Sequence, residues 1–237
     1  MIEEILPPAV ASAEATADPP DATLFPEEEA SLGRSVEKRR REFTTGRLCV
    51  RRALAKLGLP PAPVPPGPRR APQWPPGLVG SITHCAGYRA AAIAHATDVV
   101  TIGIDAEPAA ALPDGVLNVI STSGEQRWLR ELAATAPQVW WDRLLFSAKE
   151  SVFKAWFPLA GRELGFQDAD VTVDRAGGTF SARLLVDGPV VAGRQLRGLS
   201  GRWLVRDGLV LTAIVLPAAH RPASVGGSDV DDPGRAD

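Results

Sequence analysis

The strongest periodic pattern in the chain lies between residues 137 and 156. Apolar residues recur there at helical spacing, about 100° apart per residue, and form one broad face. They are Trp141, Leu144, Leu145, Ala148, Val152, Ala155 and Trp156. The pattern predicts a long helix from Pro137 to Trp156 that Pro158 ends. The polar residues expected on its opposite side are Arg143, Ser147, Glu150 and Lys154.

Two further helices are predicted. The first runs from about Pro26 to Leu57, where three early glutamates and the late Lys56 suit the helix dipole. The step at residues 44–46 (Thr-Thr-Gly) predicts a break that could divide it in two. The other runs from Ser123 to Ala134, with Ser123 as its N-cap.

Eight short apolar segments predict strands, and they do not alternate regularly with the helices. The segments are Val10–Ala15, Leu78–Thr83, Ala90–His95, Val99–Asp105, Ala169–Val173, Thr179–Leu185, Gly201–Val205 and Leu209–Leu216. Turns are expected at Gly87 and at Asp207-Gly208, and residues 60–76 predict a proline-rich loop. This order favours an α+β fold over a doubly wound sheet.

Composition and charge limit the classes of protein to which this chain could belong. The 237 residues are 45% hydrophobic, which suffices for one large domain or two small halves. A formal net charge of −2 argues against general binding to nucleic acid or to anionic membranes. The start of the chain does not resemble a secretory signal, and no apolar run is long enough to span a bilayer. We therefore expect a soluble, cytoplasmic protein, in which Cys49 and Cys85 are ordinary thiols.

Two carboxylates stand at the end of a predicted strand. Asp105 and Glu107 are two residues apart, so both project from one face of the strand. Like charges this close repel each other unless a cation lies between them, which suggests a divalent metal ion. A solvated acidic strand end is the alternative.

The polar side of the long helix offers a second acidic site. Glu150 and Lys154 could form an ordinary surface pair at spacing i,i+4. However, Phe146 and Phe153 flank Glu150, and aromatic residues suit a partly covered cleft better than a solvated face.

Basic residues and a strand end supply candidate phosphate ligands. Thr83 and His84 end a strand, where a hydroxyl and an imidazole can donate hydrogen bonds to phosphate oxygens. Arginines on the first helix, Arg39 and Arg47 among them, and Arg69 or Arg70 in the proline loop could converge there. The alternatives are a structural histidine and a solvated charge run.

Taken in order, these motifs resemble those of the 4′-phosphopantetheinyl transferases, in the large single-chain type that serves siderophore, polyketide and nonribosomal peptide synthases. The motifs are the arginine helix, Trp74-Pro75, the segment 81–84 (Ser-Ile-Thr-His), the segment 103–107 (Gly-Ile-Asp-Ala-Glu) and the segment 146–154 (Phe-Ser-Ala-Lys-Glu-Ser-Val-Phe-Lys). The resemblance covers about residues 24–216. It implies a pseudo-twofold monomer of two similar α+β halves, residues 1–115 and 116–217, with coenzyme A in the cleft between them. Residues 218–237 are expected to form a disordered tail.

The resemblance also implies roles for individual residues. Asp105, Glu107 and Glu150 would hold Mg²⁺ against the pyrophosphate of coenzyme A, and Glu150 would accept the proton of the attacking serine. Lys154 would neutralise the pyrophosphate, with Lys149 on the same wall. The residues that would bind the 3′-phosphate and nucleotide end are Arg39, Arg47, Arg69, Thr83 and His84.

Apo acyl carrier and peptidyl carrier domains would be the acceptors, and they would leave as holo-carriers with release of 3′,5′-ADP. Two other functions use part of the same motifs. A non-catalytic coenzyme A-binding module would need the arginines and His84 but not three carboxylates. A Mg²⁺-dependent phosphohydrolase would use the carboxylates on water, without a protein acceptor.

Overall fold

The computed structural model of the protein describes residues 1–219. Most of the tail predicted for residues 218–237 therefore lies outside the described residues. The helices are α1 (Pro26–Ala30), α2 (Glu37–Lys56), α3 (Val116–Ile120), α4 (Ser123–Thr135) and α5 (Trp141–Ala160). The strands are β1 (Ala11–Ala15), β2 (Leu78–Cys85), β3 (Tyr88–His95), β4 (Val99–Pro108), β5 (Ala169–Asp174), β6 (Thr179–Leu184), β7 (Val190–Val191), β8 (Arg194–Gln195), β9 (Gly198–Arg206) and β10 (Leu209–Pro217).

Two antiparallel sheets, each covered by one long helix, form most of the described chain, and β7 and β8 form a separate two-stranded sheet. The first sheet has the order β1-β3-β2, and its apolar face packs on α2. The second has the order β4-β10-β9-β6-β5 and packs on α5. This mixture of helices and antiparallel sheets confirms the predicted α+β class. Strand β4, which lies before residue 115, pairs with β10 near the end of the described chain.

Serine and threonine hydroxyls join the two sheets where β2 lies beside β4. The Ile104 N–H donates to Ser81 Oγ at 3.0 Å, and the Ala106 N–H donates to Thr83 Oγ1 at 3.0 Å. Both hydroxyl residues are buried. Side chains thus satisfy strand-edge groups that would otherwise lose a partner on burial.

The period-two alternation of β4 decides which residues face α5. Ile102, Ile104 and Ala106 lie in the core shared with β3, so the intervening residues point to the other side. On that side, a Cβ built on Gly103 would lie 2.0 Å from the carbonyl oxygen of Ser151 in α5. The glycine therefore lets the helix approach the strand, and Asp105 and Glu107 follow it on the same face.

Most predicted elements are confirmed, but the boundaries of three helices were wrong, and α5 begins at Trp141 instead of about Pro137 because residues 137–139 form a turn. Helix α2 is unbroken at residues 44–46, and the interruption lies at residues 31–36 instead. Gly46 is held against Ile82 of the sheet, so packing outweighs its poor helix propensity. Pro158 does not end α5, which continues to Ala160 and ends at Gly161 with φ of 61°.

The third correction concerns α4. Its N-cap is Thr122, whose hydroxyl accepts from the Glu125 N–H at 3.2 Å, and not Ser123. Helix α3 and the short β7–β8 hairpin were not predicted. No helix within residues 1–219 is long and apolar enough to cross a bilayer.

Candidate active site

Asp105 is the most buried acidic group at the junction of β4 and α5. Its side chain is 6% exposed, and its Oδ1 lies 2.8 Å from the Lys154 Nζ. Lys154 also donates to the Ile104 carbonyl at 3.0 Å, while the Thr83 hydroxyl donates to Oδ1 at 3.3 Å. The other oxygen, Oδ2, is buried and has no hydrogen-bond partner among the described residues.

Glu107 lies one strand period further on and is partnered by Arg143 of α5. The Arg143 Nη1 donates to Glu107 Oε2 at 2.8 Å, and the same guanidinium donates to the carbonyls of Ala110 and Ala111 at 3.0 and 2.7 Å. Burial and the charge of Asp105 raise the pKa of Glu107, and Arg143 opposes that rise. Arg143 therefore ties the carboxylate to the segment that follows β4.

Glu150 borders a cavity of about 360 Å³ on the C-terminal side of the site. The cavity is also lined by Val152, Phe153, Leu164 and Phe166. Burial raises the pKa of Glu150, and the charge of Asp105 raises it further, while Lys154 lowers it. The expected cleft beside Glu150 is present, and the side chain belongs to the same electrostatic group as Asp105.

Two residues of α5 have their polar groups bonded within the protein, although Lys149 also lines the cavity. Ser147, predicted on the polar side, is fully buried with its hydroxyl 2.9 Å from Thr212 Oγ1 of β10, so that prediction was wrong. Lys149 is also buried, and its Nζ lies 2.8 Å from Glu125 of α4. Burial lowers the pKa of Lys149, and Glu125 counteracts the effect.

His84 and Arg39 meet at the exposed end of β2. The Arg39 Nη1 lies 2.7 Å from His84 Nε2, and Glu42 lies 3.8 Å from Nδ1. Because a guanidinium only donates, Nε2 must accept, and the proton of the neutral imidazole lies on Nδ1 facing Glu42. Burial and the charge of Arg39 lower the pKa of His84, and Glu42 opposes them.

The other two arginines predicted to bind phosphate lie elsewhere. Arg47 is buried, donates from Nε to the Val64 carbonyl at 2.7 Å, and lies near Glu28. Burial lowers its pKa to about 10. Arg69 pairs with Glu163, a residue lining the cavity, at 2.6 Å. The structure thus gathers Asp105, Glu107, Glu150 and Lys154 in one place and distributes the arginines around it.

The sequence analysis assigned no role to Glu125 or Glu42. It predicted Arg143 on the polar side of the long helix but gave it no function. For Glu125 a signal existed: Thr-x-x-Glu at residues 122–125 is the pattern of a capping box, in which the glutamate turns back to the helix start. No local pattern could identify Arg143 or Glu42, because their partners are distant in sequence.

The surroundings of the Asp105 side chain indicate whether these carboxylates could bind a cation. Its buried Oδ2 has no partner among the described residues, and burial raises the pKa values of Glu107 and Glu150, with the charge of Asp105 adding to both rises. Oxygen ligands of this kind fit Mg²⁺. As they stand, the side chains of residues 1–219 form no group of three or more acidic, histidine or cysteine ligands close enough to enclose a metal ion. Phosphate oxygens and water can complete the coordination of Mg²⁺.

Two family models match the chain. Residues 27–94 match one described as the 4′-phosphopantetheinyl transferase N-terminal domain, and residues 101–196 match the 4′-phosphopantetheinyl transferase superfamily. The chain is 57% identical to 4′-phosphopantetheinyl transferase Svp of Streptomyces mobaraensis, covering 92% of this chain and 90% of that protein. It is 50% identical to Npt of Nocardia iowensis (90% and 99% covered) and 49% identical to PptT of Mycobacterium tuberculosis (91% and 98% covered), which carry the same enzyme name.

Proposed function

The chain belongs to the 4′-phosphopantetheinyl transferase superfamily, and from that premise we propose how its residues perform the transfer. The protein transfers the 4′-phosphopantetheine group of coenzyme A to carrier proteins. In the proposed reaction, a serine hydroxyl of an apo acyl carrier or peptidyl carrier domain attacks the β-phosphorus of coenzyme A. The bond to the bridging oxygen breaks, and 3′,5′-ADP leaves.

The observation that supports this mechanism most is the unpartnered oxygen of Asp105. Asp105 and Glu107 share one face of β4, and Glu150 faces the same group of charges from α5. We propose that these three carboxylates hold Mg²⁺ against the pyrophosphate. When bound, the ion supplies positive charge to the phosphoryl oxygens, where negative charge accumulates during transfer.

Glu150 is the proposed general base. A carboxylate whose pKa is raised by burial holds a proton more readily near neutral pH, so it can accept one from the attacking hydroxyl. Lys154 is the proposed partner of the pyrophosphate, because its ammonium already lies among the site's carboxylates. It stabilises charge on the leaving group without itself transferring a proton.

The cavity beside Glu150 is the proposed place of the pantetheine arm. Glu150, the proposed base for attack at the phosphorus, borders this cavity. The lining of the cavity is largely apolar, which suits a chain of methylene and amide groups. At the other end of the site, Arg39 and His84 are the proposed ligands of the 3′-phosphate, next to Thr83. We also propose that the guanidinium N–H groups of Arg47 that are not bonded to Val64 donate to the same phosphate. Arg69 is proposed to lie at the mouth of the cavity.

The pseudo-twofold relation, the boundary between halves at residues 115 and 116, and the monomeric state remain part of the proposal. The mass of the protein in solution, measured by light scattering, tests the monomer directly.

Glu150→Gln tests the mechanism. It keeps the shape of the side chain but removes charge and basicity, so the rate of carrier modification should fall by about 10²- to 10⁴-fold. The measurement is the mass of an apo-carrier domain incubated with coenzyme A and Mg²⁺. Glu131→Gln, at an exposed position of α4, is the matched control and should keep the wild-type rate.

The same assay separates the competing functions. Modification of the carrier that depends on Mg²⁺ supports the proposal. Cleavage of coenzyme A without any gain in carrier mass would instead indicate a phosphohydrolase. Binding of coenzyme A with neither product would indicate a binding module, and an unchanged rate in Glu150→Gln would remove that residue from the mechanism.

A further inference from the structure

Lys149 stands next to Glu150 but has no donor left for a substrate. A lysine ammonium carries three N–H groups. The Nζ of Lys149 lies 2.8 Å from Glu125 Oε2 and donates to the carbonyls of Phe166 and Ala169 at 2.6 and 3.0 Å. Its side chain is 2% exposed. A phosphate could therefore be bound by this ammonium only after one of these three contacts is broken.

Both carboxylate oxygens of Glu125 also have partners within the protein. The side chain is 0% exposed. Its Oε2 accepts from the Thr122 N–H at 2.7 Å, and its Oε1 accepts from the Val171 N–H at 2.7 Å. The ion pair thus joins the start of α4, the strand β5 and the middle of α5. Since a buried charge without its partner is costly, the pair holds these three elements in one arrangement.

The two carbonyls bound by Lys149 belong to the wall of the cavity. Gly165, Phe166 and Ala169 line it, opposite Glu150 and Phe153 of α5. The Phe166 ring also stacks on Phe146, with ring centroids 5.9 Å apart. The position of this wall relative to α5 is therefore fixed by the ammonium on one side and by aromatic stacking on the other.

We propose that Lys149 and Glu125 are positioning residues that set the width of this cavity for the pantetheine arm, and that Lys149 does not bind the phosphates of coenzyme A. This inference rests on the proposed function, in which the arm lies in the cavity. Lys149 acts through the backbone of residues 166–169. Loss of Lys149 should therefore weaken binding of the pantetheine arm and not binding of the nucleotide.

Two nucleotides test the proposal. Coenzyme A carries the arm, while adenosine 3′-phosphate 5′-diphosphate (3′-phospho-ADP) keeps the nucleotide and all three phosphates without the arm. In Lys149→Met, the affinity for coenzyme A should fall at least about tenfold, or about 1.4 kcal/mol. The affinity for 3′-phospho-ADP should stay within about twofold. Both are measured by isothermal titration calorimetry on the full chain with Mg²⁺ present.

Two further variants keep the test decisive. In Glu125→Gln combined with Lys149→Met the buried charges are removed together, so this variant serves if the single substitution does not fold, and the same selective loss is expected. Tyr88→Phe removes a buried hydrogen bond of 2.6 Å to Glu14 in the first sheet, away from the cavity. It should lower stability while leaving the ratio of the two affinities unchanged.

Each other outcome contradicts the proposal in its own way. Equal loss of affinity for both nucleotides would make Lys149 a phosphate ligand, and no loss for either would remove its role in shaping the cavity. If the wild type bound coenzyme A no more tightly than 3′-phospho-ADP, the arm would not lie in the cavity, and this inference would fail with that assignment. Absence of carrier modification by the wild type would instead overturn the proposed function itself.

Discussion

Two buried glutamates, Glu28 in the N-terminal region and Glu125 in the C-terminal region, have closely similar surroundings. Each is the third residue of a helix, and each side chain is at most 1% exposed. Each accepts a hydrogen bond from the N–H of the residue before its helix. Each also accepts from a later backbone N–H, that of Val64 or of Val171. The base that pairs with each lies on the long helix that covers its sheet.

The bases themselves differ. Arg47 and Arg51 share Glu28 at 3.9 and 3.4 Å, whereas Lys149 alone lies 2.8 Å from Glu125. A guanidinium has five N–H donors, and the Arg47 Nε is given to the Val64 carbonyl. The ammonium of Lys149 has three donors, all of them used within the protein.

The comparison shows how one arrangement of a buried carboxylate can serve two purposes. Arginines can hold the glutamate and still offer donors to a phosphate, as the proposed function requires of Arg47. A lysine in the same situation becomes an internal link between elements. The correspondence between the two regions also supports the proposed pseudo-twofold relation of the halves.

Removal of one base from each region should give the largest difference. Lys149→Met leaves Glu125 buried without a cation, and the free energy of unfolding should fall by about 3–5 kcal/mol. Arg51→Met should cost only about 1–2 kcal/mol, because Glu28 keeps Arg47 and two backbone donors. Urea unfolding of the two variants measures both, and equal losses would show that sharing the carboxylate between two bases has no effect.

Exchange of one base for the other should give an intermediate effect. Lys149→Arg places a larger group at a side chain that is only 2% exposed and should cost about 1–3 kcal/mol. Arg51→Lys keeps the charge and the aliphatic stem at a side chain that is 16% exposed, so the cost should stay within about 1 kcal/mol. Thermal unfolding ranks the two. A stable Lys149→Arg variant would mean that the adjacent cavity accommodates the larger guanidinium.

The smallest change in stability is expected at the start of α4, the helix that carries Glu125. Thr122→Ala removes the capping hydroxyl and a hydrogen bond to Asp170, and should cost about 1 kcal/mol. Ser123→Ala is the control at the next, exposed position and should change stability by less than about 0.5 kcal/mol. Circular dichroism melts decide between them, and the reverse order would restore Ser123 as the cap.

Elements that are buried on a regular period were predicted well. The hairpin of β9 and β10 has its turn at Asp207 and Gly208, as expected, and the apolar face of α5 is buried as expected. Local signals of helix interruption did worse at Gly46 and Pro158. At Gly46 the sheet packed against the helix outweighs propensity, and Pro158 lies only two residues before the end of α5.

The sequence by itself determined the fold class, the family resemblance and the shared face of Asp105 and Glu107, because those depend on motifs and on a period of two along one strand. Only the tertiary structure decided what each side chain meets. Ser147 turned out to face Thr212 of β10, and Lys149 to face Glu125 of α4. A helical period gives the direction of a side chain, but its partner depends on which distant elements pack there. A lysine beside a proposed catalytic glutamate therefore looks the same in sequence whether it binds substrate or bonds to neighbouring backbone.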